Sequence, residues 1–215
     1  MPPMDAARIA ELLRPFLQKP DGSREELTPA QLEQFSEYLA LLLRWNAKTN
    51  LTSVREPGEM VRRHFGESLF LARMVSGEAT ATAIDIGSGA GFPGIPLKIY
   101  SPAVVVTLIE SQNKKATFLK EVIRELTLTN INVFSGRAEA LDKKADLVTL
   151  RAVERFEQVL PVASALANPN GRLALLIGLG HAGAAKKLLP NFDVSTAAVP
   201  ESRERVLLIA RRNQT

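Results

Sequence analysis

The chain has 215 residues, of which 46% are hydrophobic and 23% are charged, a composition typical of a folded globular protein. No apolar stretch approaches the roughly 18 residues that a membrane span needs, and acids stand in the first 14 residues where a signal peptide would carry an apolar run. These features predict a cytoplasmic protein. The absence of cysteine excludes disulfides and thiolate metal sites, and two histidines, His64 and His181, make a metal centre unexpected.

Positive charge is concentrated in the later part of the chain. The first 80 residues hold 10 basic and 11 acidic side chains, whereas residues 81–215 hold 17 and 12, and the net charge is +4. One local exception in the first part is the basic stretch from Arg44 to Arg63. This balance permits a polyanionic partner without requiring one.

The first 80 residues have the pattern of helices. Apolar residues recur at helical spacing over Ile9–Leu17. The segment Thr28–Gln31 has the form of a capping box with proline at the first helical position, and it predicts a second helix with an apolar face over Leu32–Leu43. A third helix is expected from about Glu59 to Val75, after a proline. We interpret residues 1–80 as an N-terminal helical cap.

From Ala81 onwards, short apolar runs alternate with amphipathic helical segments. This alternation predicts an α/β domain over residues 81–215, in which helices cover both faces of a mostly parallel sheet. The last two runs are joined by too few residues for a helical crossover, so they should pair antiparallel at the end of the sheet. The predicted strands are Thr82–Ile86, Val104–Glu110, Ile131–Phe134, Asp146–Leu150, Arg172–Ile177, Asp193–Val199 and Arg205–Ala210.

A glycine-rich segment follows the first predicted strand. Its glycines let a ligand approach the backbone closely, and the next helix N-terminus offers free N–H groups to a carboxylate or phosphate. Gly89–Gly94 satisfies G-x-G-x-x-G, the pattern of a dinucleotide fold. Counted from the strand, however, the pattern is Asp85-x-Gly87-x-Gly89-x-Gly91, the form found in class I methyltransferases, which bind S-adenosylmethionine (AdoMet). Too few residues remain for the substrate domain of a dehydrogenase, so the segment favours a methyltransferase.

Acidic residues follow the next two strands. Glu110 ends the second strand, where a carboxylate can accept hydrogen bonds from both ribose hydroxyls of either cofactor. After the third strand, Ser135–Glu139 stands where class I methyltransferases flank the adenine. Glu139 fits an exposed acid at a helix start as well, and that alternative stays open.

Most of the chain resembles the 16S rRNA guanine-N7 methyltransferase G family, also called glucose-inhibited division protein B. The glycine turn is common to all class I methyltransferases, whereas the N-terminal blocks are particular to this family. The matching blocks are Trp45-Asn46 with Asn50–Thr52, His64 with Glu67–Leu69, Asp85–Pro96, Glu110–Lys115, Gly136–Glu139 and Arg151-Ala152.

The resemblance implies a fold, a reaction and a set of cofactor residues. The fold is a Rossmann-like class I AdoMet-dependent methyltransferase domain, with a mostly parallel seven-stranded sheet and an N-terminal helical cap. The reaction is transfer of a methyl group to N7 of a guanine in 16S rRNA, with the rRNA or the small ribosomal subunit as partner and a monomer as the expected state. The implied cofactor residues are Gly87, Gly89, Gly91 and Phe92 at the methionine end, Glu110 at the ribose, Ala138 and Glu139 at the adenine, and Arg151 closing the site.

Guanine N7 carries a free lone pair, so the transfer requires positioning and no strong base. Arg151, after the fourth strand, is therefore our candidate for contacting the guanine O6 or a phosphate, and the alternative is a structural ion pair with Asp146 or Glu154. His64 is a candidate RNA contact or general base, although we favour a structural hydrogen bond for it. Trp45 and Asn46 are expected to pack the cap, with base stacking as the alternative for Trp45. Further candidates for phosphate contacts are Arg62, Arg63, Lys114 and Lys115.

Three positions depart from the family pattern. Glu67 stands where aspartate is common, Gly66 replaces a bulkier apolar residue, and Ile177 precedes Gly178 where lysine is expected. The missing lysine keeps open a nucleotide- or RNA-binding protein without turnover. A methyltransferase acting on a non-rRNA substrate is the other alternative, and it leaves the N-terminal motifs unexplained.

Overall fold

The computed structural model describes residues 4–19, 21–76, 80–151 and 156–213. A central sheet carries helices on both faces. The helices are α1 Ala6–Leu13, α2 Pro29–Thr49, α3 Pro57–Met60, α4 Glu67–Ser76, α5 Gly94–Tyr100, α6 Asn113–Glu125, α7 Phe156–Leu166 and α8 Ala182–Leu188. The strands are β1 Thr82–Ile86, β2 Val105–Ile109, β3 Ile131–Phe134, β4 Ala145–Arg151, β5 Ala167–Gly178, β6 Phe192–Ala198 and β7 Arg205–Arg212.

The N-terminal helices begin and end at the signals that the sequence carries. The capping box at α2 is confirmed, since the Thr28 hydroxyl accepts from the Gln31 N–H and the Gln31 side chain accepts from the Thr28 N–H. At its other end, Asn50 adopts a left-handed backbone conformation. The predicted third helix is interrupted: a π-helical turn over Val61–Gly66 separates α3 from α4. We call Val61–Gly66 the π segment.

The sheet has the strand order β3-β2-β1-β4-β5-β7-β6. Strands β1 to β5 run parallel, and β7 pairs antiparallel with both β5 and β6, so the predicted terminal hairpin is confirmed. Strand β5 begins five residues earlier than predicted, because Ala167 pairs with Ala145 ahead of a register shift in the ladder. The chain builds outward from β1 first towards β3 and then towards β5, which creates a switch point between β1 and β4.

The two faces of the sheet are covered by different helices. On one face, Ala83, Leu108 and Leu147 join the apolar residues of α1 to α6 in one core cluster. On the other face, the neighbouring residues Ile84 and Val148 pack with α7 and α8. The cap helices therefore share a core with the sheet, and the domain boundary at residue 80 stays a prediction. None of the helices in the described ranges is both long and apolar enough to cross a bilayer.

Candidate active site

The acid at the end of β1 holds the glycine turn to its neighbours. Asp85 is 1% exposed, and its two carboxylate oxygens accept from the Thr149 hydroxyl at 2.8 Å and from the Gly94 N–H at 3.1 Å. Burial raises the pKa of Asp85 to about 6, against the opposing effect of these hydrogen bonds. The carboxylate thus connects β1 to β4 and to the start of α5. These bonds hold in place the glycine turn that lies between β1 and α5.

The turn itself is tied to the end of β2 by the second predicted acid. Gly87 and Gly89 have φ values of 66° and 59°, a backbone region that favours glycine. The Gly89 N–H donates to one Glu110 oxygen at 2.9 Å, and the Gln112 N–H donates to the other at 2.7 Å. A Cβ at Gly89 would have open space around it, since its nearest contact among the described residues would be the Gly87 carbonyl oxygen at 3.8 Å. Gly89 therefore faces room for a ligand.

A cleft of about 310 Å³ opens beside this turn, and we call it the β1–β3 cleft. It brings together four of the predicted cofactor residues, which are Gly87, Glu110, Ala138 and Glu139. Glu110 and Ala138 are buried, whereas Glu139 is exposed. The opposite wall comes from α7 through Gln158, Val159 and Val162, which were not predicted from the sequence. The helical spacing of these residues predicts a packed helix, but no local sequence pattern indicates which face of that helix lines a cleft.

The remaining predicted cofactor residues lie on the cap side of the turn. A Cβ at Gly91 would overlap the Tyr38 hydroxyl and the Ile95 side chain, so this glycine is required by packing. The Phe92 ring is 6% exposed and lies 4.9 Å from the His64 ring and 5.4 Å from the Tyr38 ring, measured between centroids. The Arg151 guanidinium is 5.8 Å from the Phe92 centroid.

Arg151 ends β4 and is held by the cap. Its Nη2 donates to the Arg63 carbonyl oxygen at 2.7 Å and lies 3.1 Å from the Glu67 carboxylate. Arg205 of β7 binds the same carboxylate oxygen at 3.0 Å. The predicted alternative of an ion pair between Arg151 and Asp146 is wrong, because the Asp146 carboxylate instead accepts hydrogen bonds from Thr82 and from the Asn168 side chain. Glu154, the other partner considered, lies outside the described residues.

The N-terminal motif residues form one hydrogen-bonded chain behind Phe92. The His64 Nε2 lies 2.8 Å from the Thr52 hydroxyl, and the Thr52 N–H donates to the Asn46 side-chain oxygen at 2.9 Å. Burial, reinforced by the charge of Arg151, lowers the pKa of His64 to about 2, so the imidazole is neutral at physiological pH. Trp45, next to Asn46, packs edge-on against Phe118 with centroids 5.5 Å apart.

The predicted phosphate contacts occupy two separate parts of the carboxyl edge of the sheet. Arg62 and Arg63 belong to the π segment, which meets the end of β4 and the turn between β6 and β7. Lys114 and Lys115 lie in the first turn of α6, directly after β2. His64, placed with them as an RNA contact, is only 7% exposed.

The sequence of residues 31–198 matches the family GidB, described as rRNA small subunit methyltransferase G. The chain belongs to this family. A ribosomal RNA small subunit methyltransferase G from Xanthomonas euvesicatoria pv. vesicatoria (strain 85-10) is 46% identical over 144 residues, a match that spans 66% of each chain. The protein of the same name from Xylella fastidiosa (strain M23) is 40% identical over 193 residues, which cover 87% of this chain and 90% of the relative.

Solved structures agree on the fold of this GidB family member. A SAM dependent methyltransferase from Aquifex aeolicus superposes with a TM-score of 0.60 at 15% sequence identity, over 77% of this chain and 98% of that one. The seven-stranded, mostly parallel sheet is therefore the class I methyltransferase fold expected from the sequence.

The structure explains two of the three departures from the family pattern. At Gly66, a Cβ would overlap the buried Phe16 ring. The Phe16 ring therefore occupies the space that the bulkier apolar residue of the family pattern would need at position 66. Ile177 is 7% exposed and packs in the core with Leu175 and Val206, which an extended lysine would not do. Glu67 reaches both Arg151 and Arg205, and nothing in the structure explains the preference for glutamate over aspartate there.

Proposed function

We propose that this protein transfers the methyl group of AdoMet to N7 of a guanine in 16S rRNA. The observation that carries the proposal is family membership over residues 31–198, together with a cleft lined by the motif residues of that family at the carboxyl edge of the sheet. Fold alone would support many reactions, so the assignment depends on the site.

The β1–β3 cleft fits AdoMet in size and in the chemistry of its walls. Its volume of about 310 Å³ is within the range of small-molecule sites. Glu110 would accept hydrogen bonds from the ribose hydroxyls, and Ala138 and Glu139 would flank the adenine. Gly87 and Gly89 would border the methionine end, since neither puts a side chain in the way. AdoMet, when bound, supplies a methyl group on a positively charged sulfur, which is the electrophile of the reaction.

The residues around the turn are suited to positioning and unsuited to removing a proton. His64 and Asp85 are both buried, and a pKa of about 2 makes the neutral His64 imidazole a weak base. Guanine N7 presents a lone pair without losing a proton, so no base is needed. Arg151, fixed by Glu67 and the Arg63 carbonyl, remains our candidate for orienting the acceptor. We assign no general base.

The partner in this proposal is 16S rRNA, free or within the small ribosomal subunit. Arg62, Arg63, Lys114 and Lys115 are proposed to contact its phosphates. The protein is proposed to act as a monomer in the cytoplasm.

The proposal is tested with purified protein, radiolabelled AdoMet and small ribosomal subunits from a strain that lacks the modification. We expect label at a single N7-methylguanine of 16S rRNA, and loss of label with Glu110→Ala. AdoMet binding without transfer would indicate a binding protein without turnover. Label on another molecule would indicate a different acceptor, and either result would overturn the proposal.

A further inference from the structure

A second cleft, of about 350 Å³, lies between the π segment and the turn joining β6 to β7. Four arginines line it, so we call it the arginine cleft: Arg62 and Arg63 come from the π segment, and Arg203 and Arg205 from the turn and the start of β7. Only the first two were predicted from the sequence as phosphate contacts. The two pairs are about 140 positions apart in the chain and meet only in the folded protein.

Four glutamates, Glu59, Glu67, Glu201 and Glu204, also line the cleft, and two of the arginines pair with them. Arg205 binds the buried Glu67 at 3.0 Å, and Arg62 lies 3.6 Å from Glu201. Arg63 and Arg203 are exposed, and within the described residues neither side chain has a hydrogen bond or an ion pair. These two fork-shaped donors are therefore available to a phosphate, whose oxygens they can bind in pairs.

The arginine cleft adjoins the predicted active site through a single carboxylate. Glu67 binds Arg205 inside the cleft and Arg151 at the end of β4, and Arg151 in turn lies against Phe92 of the glycine turn. This buried pair therefore links a wall of the arginine cleft to the side chains packed behind the glycine turn. The carboxyl edge of an open α/β sheet is also where its ligands bind.

Two further features indicate a binding surface. Leu179, directly after β5, is 59% exposed, and its N–H donates to the carbonyl oxygen of Glu204, a lining residue of the cleft, at 2.7 Å, so an exposed apolar residue is bonded to the segment that lines the cleft. A nucleotide offers apolar ring and sugar surface beside its charged phosphate, which suits this combination. The π-helical geometry of Val61–Gly66 is itself rare and is enriched at functional sites.

We propose that the arginine cleft binds the RNA strand that carries the acceptor guanine, with Arg63 and Arg203 contacting its phosphates. Glu67 is the positioning residue between the arginine cleft and Arg151, since it binds Arg205 and Arg151 at once. The identity of the RNA in this inference rests on the proposed function. Binding of the RNA is measured without methyl transfer, so the inference and the proposed function can fail separately.

The test compares Arg63→Ala, Arg203→Ala and the double variant with wild type. Binding to small ribosomal subunits that lack the modification is measured over a range of salt concentrations, and AdoMet binding is measured by calorimetry. We expect each single substitution to weaken subunit binding roughly three- to ten-fold and to reduce the slope of log Kd against log salt by about 0.7–1. AdoMet affinity should stay at the wild-type value.

Two controls make the result specific. Lys120→Ala removes one positive charge from an exposed position on α6 that lines neither cleft, and it should leave subunit binding unchanged. Arg63→Lys keeps the charge and should recover most of the salt slope.

The inference is overturned if both arginine variants bind subunits with wild-type affinity and slope, or if they lose AdoMet affinity in parallel. It is also overturned if they lose binding to polyglutamate while subunit binding is retained, because the cleft would then serve an acidic protein segment. Wild-type binding without methyl transfer would refute the proposed function and leave the cleft assignment intact.

Discussion

The carboxylate of Glu67 and the guanidinium of Arg151 form a buried ion pair, 3.1 Å between Oε2 and Nη2, that joins the first turn of α4 to the end of β4. The side chains are 4% and 8% exposed. Arg205 shares the same carboxylate oxygen, so one acid binds two cations from two strands. The same contact therefore joins the cap to the sheet and holds the guanidinium beside Phe92.

Glu67→Gln should lower the free energy of unfolding by about 3–5 kcal/mol, because it leaves a buried guanidinium without its counter-charge. Urea denaturation measures the change. Glu67→Asp keeps the charge on a shorter side chain and should lower the free energy of unfolding by less than Glu67→Gln does. Glu11→Gln, which breaks the exposed pair with Arg8, should change stability by less than about 1 kcal/mol. A Glu67→Gln variant as stable as Glu11→Gln would show that the buried pair has no structural role.

Gly66→Ala should destabilise the protein by about 1–3 kcal/mol, although alanine normally favours a helix, because the new methyl group meets the buried Phe16 ring. Phe16→Ala alone should cost about 3–5 kcal/mol through the cavity that it leaves. Adding Gly66→Ala to Phe16→Ala should cost nothing further, and the double-mutant cycle measures that coupling. Additive losses of stability would mean that the methyl group added at position 66 does not meet the Phe16 ring.

Gly89→Val should abolish AdoMet binding in calorimetry while the protein remains folded. Its φ of 59° makes any side chain strained by about 1–2 kcal/mol, but among the described residues no atom stands close enough to clash. The added side chain would instead fill the space that we assign to the cofactor. Gly183→Val, on α8 in open space, should bind AdoMet normally. Unchanged affinity of the Gly89 variant would remove the glycine turn from the cofactor site.

His64 should make the protein less stable as the pH falls below about 6.5. Its folded-state pKa of about 2 lies below the unfolded value, so the unfolded chain binds the extra proton between these limits. The contribution to stability is present above pH 6.5 and is lost on acidification by up to about 1.4 kcal/mol per pH unit. The measurement is urea denaturation from pH 4.5 to 8.

Replacement of each histidine by glutamine separates this effect from general acid denaturation. His64→Gln should flatten the acid side of the stability curve, whereas His181→Gln, at an exposed position, should leave it as in wild type. Equal curves for His64→Gln and wild type would show that His64 titrates normally in the folded protein.

Much of the fold was predictable from the sequence because it depends on local patterns. Helical spacing and a capping box located α2, and alternating apolar runs located all seven strands, six of them to within two residues at each end. The largest error was the start of β5, where Pro169 and Gly171 interrupt the apolar run. The glycine turn after β1 and Glu110 after β2 were equally readable, since each depends on a backbone position at a strand end.

The tertiary structure alone decided the contacts between residues that lie far apart in the chain. Arg151 pairs with Glu67, which lies 84 positions earlier, and not with the nearby Asp146. Phe16 fills the space at Gly66, and Arg203 joins Arg63 across one cleft. Sequence periodicity specifies which face of an element is apolar, but the partner of a charged side chain depends on which elements pack against each other. The sequence by itself therefore determined the elements and the turn, and packing of the cap on the sheet decided how the charges are paired.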